Sequence, residues 1–216
     1  MGHARHRRGH GGEDADLRMH DPREVAVEIH SAWGTFEWLV EDALSRGYRI
    51  GICANSDDHK GRPGASYPGA GKFGSLGGLT CILARKLDRK HVFEALASRH
   101  FYATTGHRCL IDLKVVTADN RQAMIGDVID AGPGNPVLHV DVSGTGPVES
   151  VVVRNGLKTV KVQRPYDSRD LGRRIKILWS GAEVRGRARM AAWDGTLRVT
   201  GNRVLEATPI NFWNSN

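Results

Sequence analysis

The sequence predicts an α/β segment that gives way near residue 108 to an all-β half. Three observations carry this reading. Between residues 25 and 54 an apolar strand, an amphipathic helix and a second apolar strand follow one another over short links, the order of a parallel βαβ unit. From Cys109 onward the periodicity changes to alternation, with tight-turn signals and no convincing helix. The two textures meet just after Thr105-Gly106, which sets expected boundaries of 1–24, 25–108 and 109–216.

Residues 1–22 are polar, rich in His, Arg and Gly, and without periodicity, so they are expected to be disordered. His3, His6 and His10 in that tail are possible ligands, but a solvated segment explains them more cheaply. The first strand is expected over 25–30. Thr35 is then placed to cap a helix over 35–46, with Phe36, Leu39, Val40, Ala43 and Leu44 on one face and Gly47 in the terminating position. A strand over 48–54 follows at once. Residues 61–78 hold seven glycines and two prolines, a long loop in which no Gly-Lys pair is followed by Ser or Thr, so it is not a P-loop. Residues 79–84 read as a strand, and Asp88 as the cap of a helix over 89–100 with Val92, Phe93 and Leu96 turned inward.

In the second half, residues 110–116 and 137–142 alternate apolar and polar positions. Asn155-Gly156 is a hairpin signal between expected strands at 149–153 and 159–163. Further short strands are expected at 173–176, 185–191, 196–199 and 203–207, which together would make a small antiparallel sandwich. The basic residues in 173–176 and 185–189 could meet an anion, although solvated strand faces account for them.

Composition narrows the function classes. The formal charge is +7, but the basic residues are spread out and aromatics are not interleaved with them, so no specific nucleic-acid surface is expected. No stretch approaches the ~20 apolar residues of a membrane helix, and the N-terminus lacks the apolar core of a signal peptide. Cys53, Cys81 and Cys109 lie in or beside apolar runs at no metal-ligand spacing, and read as buried thiols of a reducing, cytoplasmic compartment.

Asp57-x-His59 is the most informative motif. It ends the run YRIGICANSDDH, where residues two apart on an extended chain project to the same side. A carboxylate and a neutral imidazole so placed can close on one divalent metal. The end of a strand that follows a helix is also where open sheets and barrels put their chemistry. Lys60, Arg62 and Lys72 could hold an anionic small-molecule substrate there, or be solvated loop charges.

Three longer stretches carry a family resemblance: VEIHSAWGTFEWL (27–39), GYRIGICANSDDHKGRPG (47–64) and RHFYATTG (99–106). They resemble the C-terminal part of the PHP metallohydrolases, the polymerase and histidinol phosphatase superfamily. The similarity is to a poorly characterised branch with a β-rich tail, which ILWSGAEVRGRARMAAWDG (177–195) and PINFWN (209–214) also resemble. The resemblance implies the end of a distorted (β/α)7 barrel followed by an antiparallel β-sandwich-like domain. It implies divalent ions (Mn, Zn or Fe) that support hydrolysis of phosphate esters or related bonds. Asp57 and His59 match the family's metal-ligand motif, and Glu28 matches an acidic strand end lining the site, with His30 two residues on. Glu28 could equally be a structural carboxylate, and His107 and Arg108 are weaker candidates.

The sequence departs from that pattern in one respect. PHP domains open on a His-x-His strand, and none occurs here, with about 24 residues before the first strand. The expectation is a partial barrel, weakly active or inactive alone: either a truncated product, or a chain whose missing half another chain or a second copy supplies. The alternative is a non-catalytic β-sandwich binding module carrying a vestigial barrel fragment.

Overall fold

In the computed structural model, residues 23–32, 34–57, 61, 77–177 and 195–208 are described. The described chain is mostly β, with two helices and small open sheets, and no closed barrel is formed among these residues.

The first unit is built on a parallel strand pair. β1 (Ala26–Ser31) turns back through β2 (Gly34–Thr35), enters α1 (Trp38–Ser45) and returns as β3 (Gly51–Ala54). β1 pairs antiparallel with β2 and parallel with β3, in the order β2-β1-β3. The βαβ expectation therefore holds, with boundaries shifted. Thr35 does not cap the helix: it lies in β2 opposite His30, and its hydroxyl sits 2.7 Å from His30 Nδ1. Phe36 N–H bonds back to Ile29 O at 2.6 Å, so the chain stays extended until Glu37 and helix begins at Trp38. Gly47 ends the helix at φ +73°, as expected of that position. Val27, Leu39 and Ala43 form the buried core between helix and sheet, with Ile29, Phe36, Trp38, Tyr48 and Ile50 packed around it.

β4 (Leu79–Ile82), α2 (Arg89–Ala97) and β5 (Phe101–Thr104) continue the chain, β4 and β5 pairing antiparallel. Asp88 caps α2 as expected, accepting from His91 N–H at 2.9 Å. Phe93, expected inward, is exposed, and Ala95 is the buried residue of that helix. This second pair docks on β3 through three contacts. Phe101, only 2% exposed, lies over Gly51, where a Cβ would come within 2.5 Å of its ring. The Thr80 hydroxyl accepts from Ala54 N–H at 3.0 Å and donates to Ala54 O at 2.8 Å, doing for Ala54 what a neighbouring strand's peptide would do. Gly78 N–H bonds to Asn55 O at 2.9 Å, and a Cβ there would run into Ala54.

The second half is antiparallel. β6 (Leu110–Val116) is flanked by β7 (Gln122–Met124) and β8 (Val137–Ser143), and β9 (Val151–Asn155) and β10 (Lys158–Gln163) form a hairpin. The two-residue hairpin loop is Gly156-Leu157, so Asn155 closes the strand and does not occupy the turn. Gly156, at φ +57°, takes the first loop position, the one a type II′ turn reserves for glycine. β7 was not expected from sequence. Residues 173–176, 196–199 and 203–207 are not hydrogen-bonded as strands among the described residues, and 185–191 lie outside them.

The halves meet at a short-range joint. Gly126, at φ +93°, presses against the backbone of Arg99, and a Cβ there would come within 2.2 Å of Arg99 O. Asp127 accepts from Met124 N–H at 2.9 Å and sits 2.8 Å from His100 Nε2. The Tyr102 hydroxyl donates to Cys109 O at 2.9 Å and accepts from Ile111 N–H at 3.2 Å.

Gly126→Ala must therefore shift backbone and strain φ together. It is expected to lower stability by about 2–4 kcal/mol, read by thermal unfolding; an unchanged midpoint would show the contact is slack. The Asp127 carboxyl is held below the usual range, first by the Met124 N–H and also by His100. A depressed carboxylate contributes stability above its unfolded value that is lost as pH falls through the lowered folded value. Asp127→Asn should accordingly flatten the loss of stability below about pH 4 in acid titrations followed by circular dichroism.

Candidate functional site

Parallel pairing aligns the carboxyl ends of β1 and β3, and the polar residues of both segments gather at that edge. Glu28 lies opposite Cys53 and His30 opposite Ala54, with a register shift between them. The ladder runs on past the strands: Asn55 N–H bonds to His30 O at 3.1 Å and Ala32 N–H to Ser56 O at 2.8 Å. Across this edge the Asn55 side-chain amide donates to Glu28 Oε2 at 2.6 Å. Sequence reasoning missed Asn55; the available signal was its place directly after the expected strand over 48–54.

Each expected residue then falls into place differently. Glu28 is exposed, one carboxylate oxygen engaged by Asn55. His30 is 7% exposed and is oriented by Thr35. Thr35, expected as a cap, serves as the group that fixes this imidazole. Asp57 is exposed three residues beyond β3, at φ +46°. That left-handed conformation is rare for non-glycine residues, though Asp tolerates it better than most, and it turns the chain sharply at the strand end. His59, Lys60, Arg62 and Lys72 lie outside the described residues, as do His3, His6 and His10. His107 and Arg108 are exposed in the segment between β5 and β6. Among the described residues no group of three or more His, Cys, Asp or Glu side chains is placed to hold a metal ion. No described helix is long and apolar enough to cross a membrane.

The electrostatics of this edge register on Cys53. Burial, and then the negative charge of Glu28, push its thiol up to about 11. Cys53 is therefore a neutral thiol at physiological pH, a packed hydrophobe beneath the polar edge.

The chain is similar to three chlamydial proteins, each described only as uncharacterised. The relative from Chlamydia pneumoniae is 30% identical over 62% of this chain and 25% of its own length. Those from Chlamydia muridarum and Chlamydia trachomatis are 25% and 26% identical, over 64% and 63% of this chain. The chain thus matches about a quarter of the length of these curated relatives. No protein-family model matches it, and no solved structure matches it significantly.

Because only the thiolate reacts, Cys53 should resist iodoacetamide at pH 8 in the folded chain and react once the chain is unfolded. Peptide mass spectrometry reads this directly. Alkylation of Cys53 in the native protein at the rate of an unfolded control would contradict its burial.

Proposed function

We propose that the strand-end edge of β1 and β3 is part of a metal-dependent, phosphoesterase-like hydrolase site of the PHP type, weakly active in this chain alone. The observation that carries the reading is the gathering of Glu28, His30 and Asn55 at the carboxyl edge of a parallel strand pair, with Asp57 two residues further along the chain. Parallel α/β folds place their chemistry at such an edge. The donor types suit a divalent Mn, Zn or Fe ion: hard carboxylate oxygen with imidazole nitrogen. Asp57 and His59 would hold it, with Glu28 and His30 as further donors or as supports. A bound ion would supply Lewis-acid activation of water and of the ester.

The chain's own residues have simpler tasks. Asn55 keeps the Glu28 carboxylate at the edge and leaves its second oxygen with acceptor capacity. Thr35 at Nδ1 sets the ring orientation of His30, the outer support that ligating histidines generally need. Lys60 and Arg62 would neutralise an anionic substrate. The finer fold reading belongs to the same proposal: the last βα units of a (β/α)7 barrel, followed by a sandwich-like β domain. The absence of a His-x-His pair in the sequence is why turnover by this chain alone is expected to stay near background.

Asp57→Gly tests the site without threatening the fold, since glycine adopts φ +46° freely. Calorimetric titration with Mn²⁺ should show affinity falling at least about tenfold in this variant, a loss of about 1.4 kcal/mol, while the unfolding midpoint holds or rises. Equal Mn²⁺ affinity in the wild type and the variant would remove Asp57 from the site.

A further inference from the structure

We propose that β8 is a self-pairing edge, through which two copies of this chain form a continuous sheet by antiparallel β8–β8 pairing about a two-fold axis at Val140. The inference does not depend on the metal reading. β8 is seven residues long, pairs with β6 in unbroken register, and has no strand on its other side among the described residues. An exposed strand edge is a template for another strand, and proteins usually blunt it with a bulge, a proline or charged side chains. Val-Leu-His-Val-Asp-Val-Ser has no proline and no bulge, and its one carboxylate, Asp141, finds an imidazole in the self-paired register. Its apolar side chains are also part-exposed, Leu138 at 39% and Val140 at 37%.

The sequence of β8 specifies how it would pair with itself. In an antiparallel two-fold pair, opposite residues share a face, so the sum of their numbers is even. The register that pairs all seven residues is centred on Val140. It sets Val140 opposite the partner's Val140, Leu138 opposite the partner's Val142, and His139 opposite the partner's Asp141. The two-fold axis generates the His–Asp pair twice. The fully overlapped register is therefore also the charge-complementary one. Centring on His139 would instead put Asp141 against the partner's Val137, and centring on Asp141 would put His139 against the partner's Ser143.

A feature of the single chain supports the same arrangement. Within one copy Asp112 lies directly opposite Asp141, a like-charge juxtaposition that weakens a sheet, while Lys114 lies opposite His139. Lys114 Nζ reaches back to Asp112 at 3.2 Å and so serves Asp112 more than Asp141. Pairing of two copies extends each row across the axis. Asp112 and Asp141 are followed by the partner's His139 and the partner's Lys114, so Asp141 gains a donor on its open side. Neutral or protonated, an imidazole can give a ring N–H to that carboxylate.

Sedimentation of the full 216-residue chain from about 1 to about 200 µM, at about 0.15 M salt, tests this. The wild type should dimerise reversibly in that range. His139→Asp sets two carboxylates against two carboxylates across the axis and should weaken dimerisation at least about tenfold. Its fold is protected, because inside one copy the new carboxylate faces Lys114. The double variant His139→Asp with Asp141→His restores both pairs in the same register and should return the dimer to within about threefold of wild type. A wild type that stays monomeric throughout, a His139→Asp chain that dimerises like wild type, or a folded double variant that stays as weak as the single one would each overturn the proposal.

Discussion

The parallel pairing of β1 with β3 is the constraint on which the rest of the α/β unit depends. Two parallel strands cannot be joined by a tight turn, so the chain between them must cross over, and it does so through α1. The crossover buries Val27 against Leu39 and Ala43, and brings both strand ends to one edge. Whatever follows the strands must meet there. Ser56 and Ala32 bond across it, Asn55 bonds to His30 through backbone and to Glu28 through its side chain. Asp57 turns the chain away at φ +46°. The polar residues are neighbours because the strand directions make them so.

That pair is held on its far side by close approach together with hydrogen bonding. Gly51 admits the Phe101 ring, and Gly78 admits Ala54, at separations that a Cβ would forbid. Thr80 satisfies both backbone groups of Ala54 with one hydroxyl. The second half is tied on by a different device: Gly126 against Arg99, with Asp127 spanning Met124 N–H and His100. Tyr102, buried in β5, spends both hydrogen-bonding capacities of its hydroxyl on the backbone around the start of β6. The change of texture near residue 108 is thus bridged directly by side chains on both sides of it.

Period and punctuation made much of this legible in the sequence. The βαβ order, the glycine stop at Gly47, the Asp88 cap and the strand at 110–116 follow from patterns whose physical cause is local. Where the reading missed, long-range contacts had overridden local preference. Thr35 is a good cap by type, but His30 across β1–β2 takes its hydroxyl and Ile29 O takes the next peptide N–H. Phe93 sits at an inward position by periodicity, but the small Ala95 is what α2 buries. Asn155-Gly156 marked the hairpin correctly, yet the loop is offset by one residue because β9 keeps Asn155. At the candidate site, Glu28 and His30 entered through the family resemblance and Asp57 through the Asp57-x-His59 motif. Asn55 and Thr35 were not legible, because their roles exist only once two strand ends are adjacent.

The proposal that this edge binds a divalent ion is tested most directly by paramagnetic broadening by Mn²⁺ in an amide-resolved NMR spectrum. Broadening falls off steeply with distance, so substoichiometric Mn²⁺ should first erase the signals of Glu28, His30, Asn55 and Asp57 while those of β9 and β10 persist. Broadening centred elsewhere, or spread evenly over the exposed carboxylates such as Asp112 and Asp167, would contradict the account.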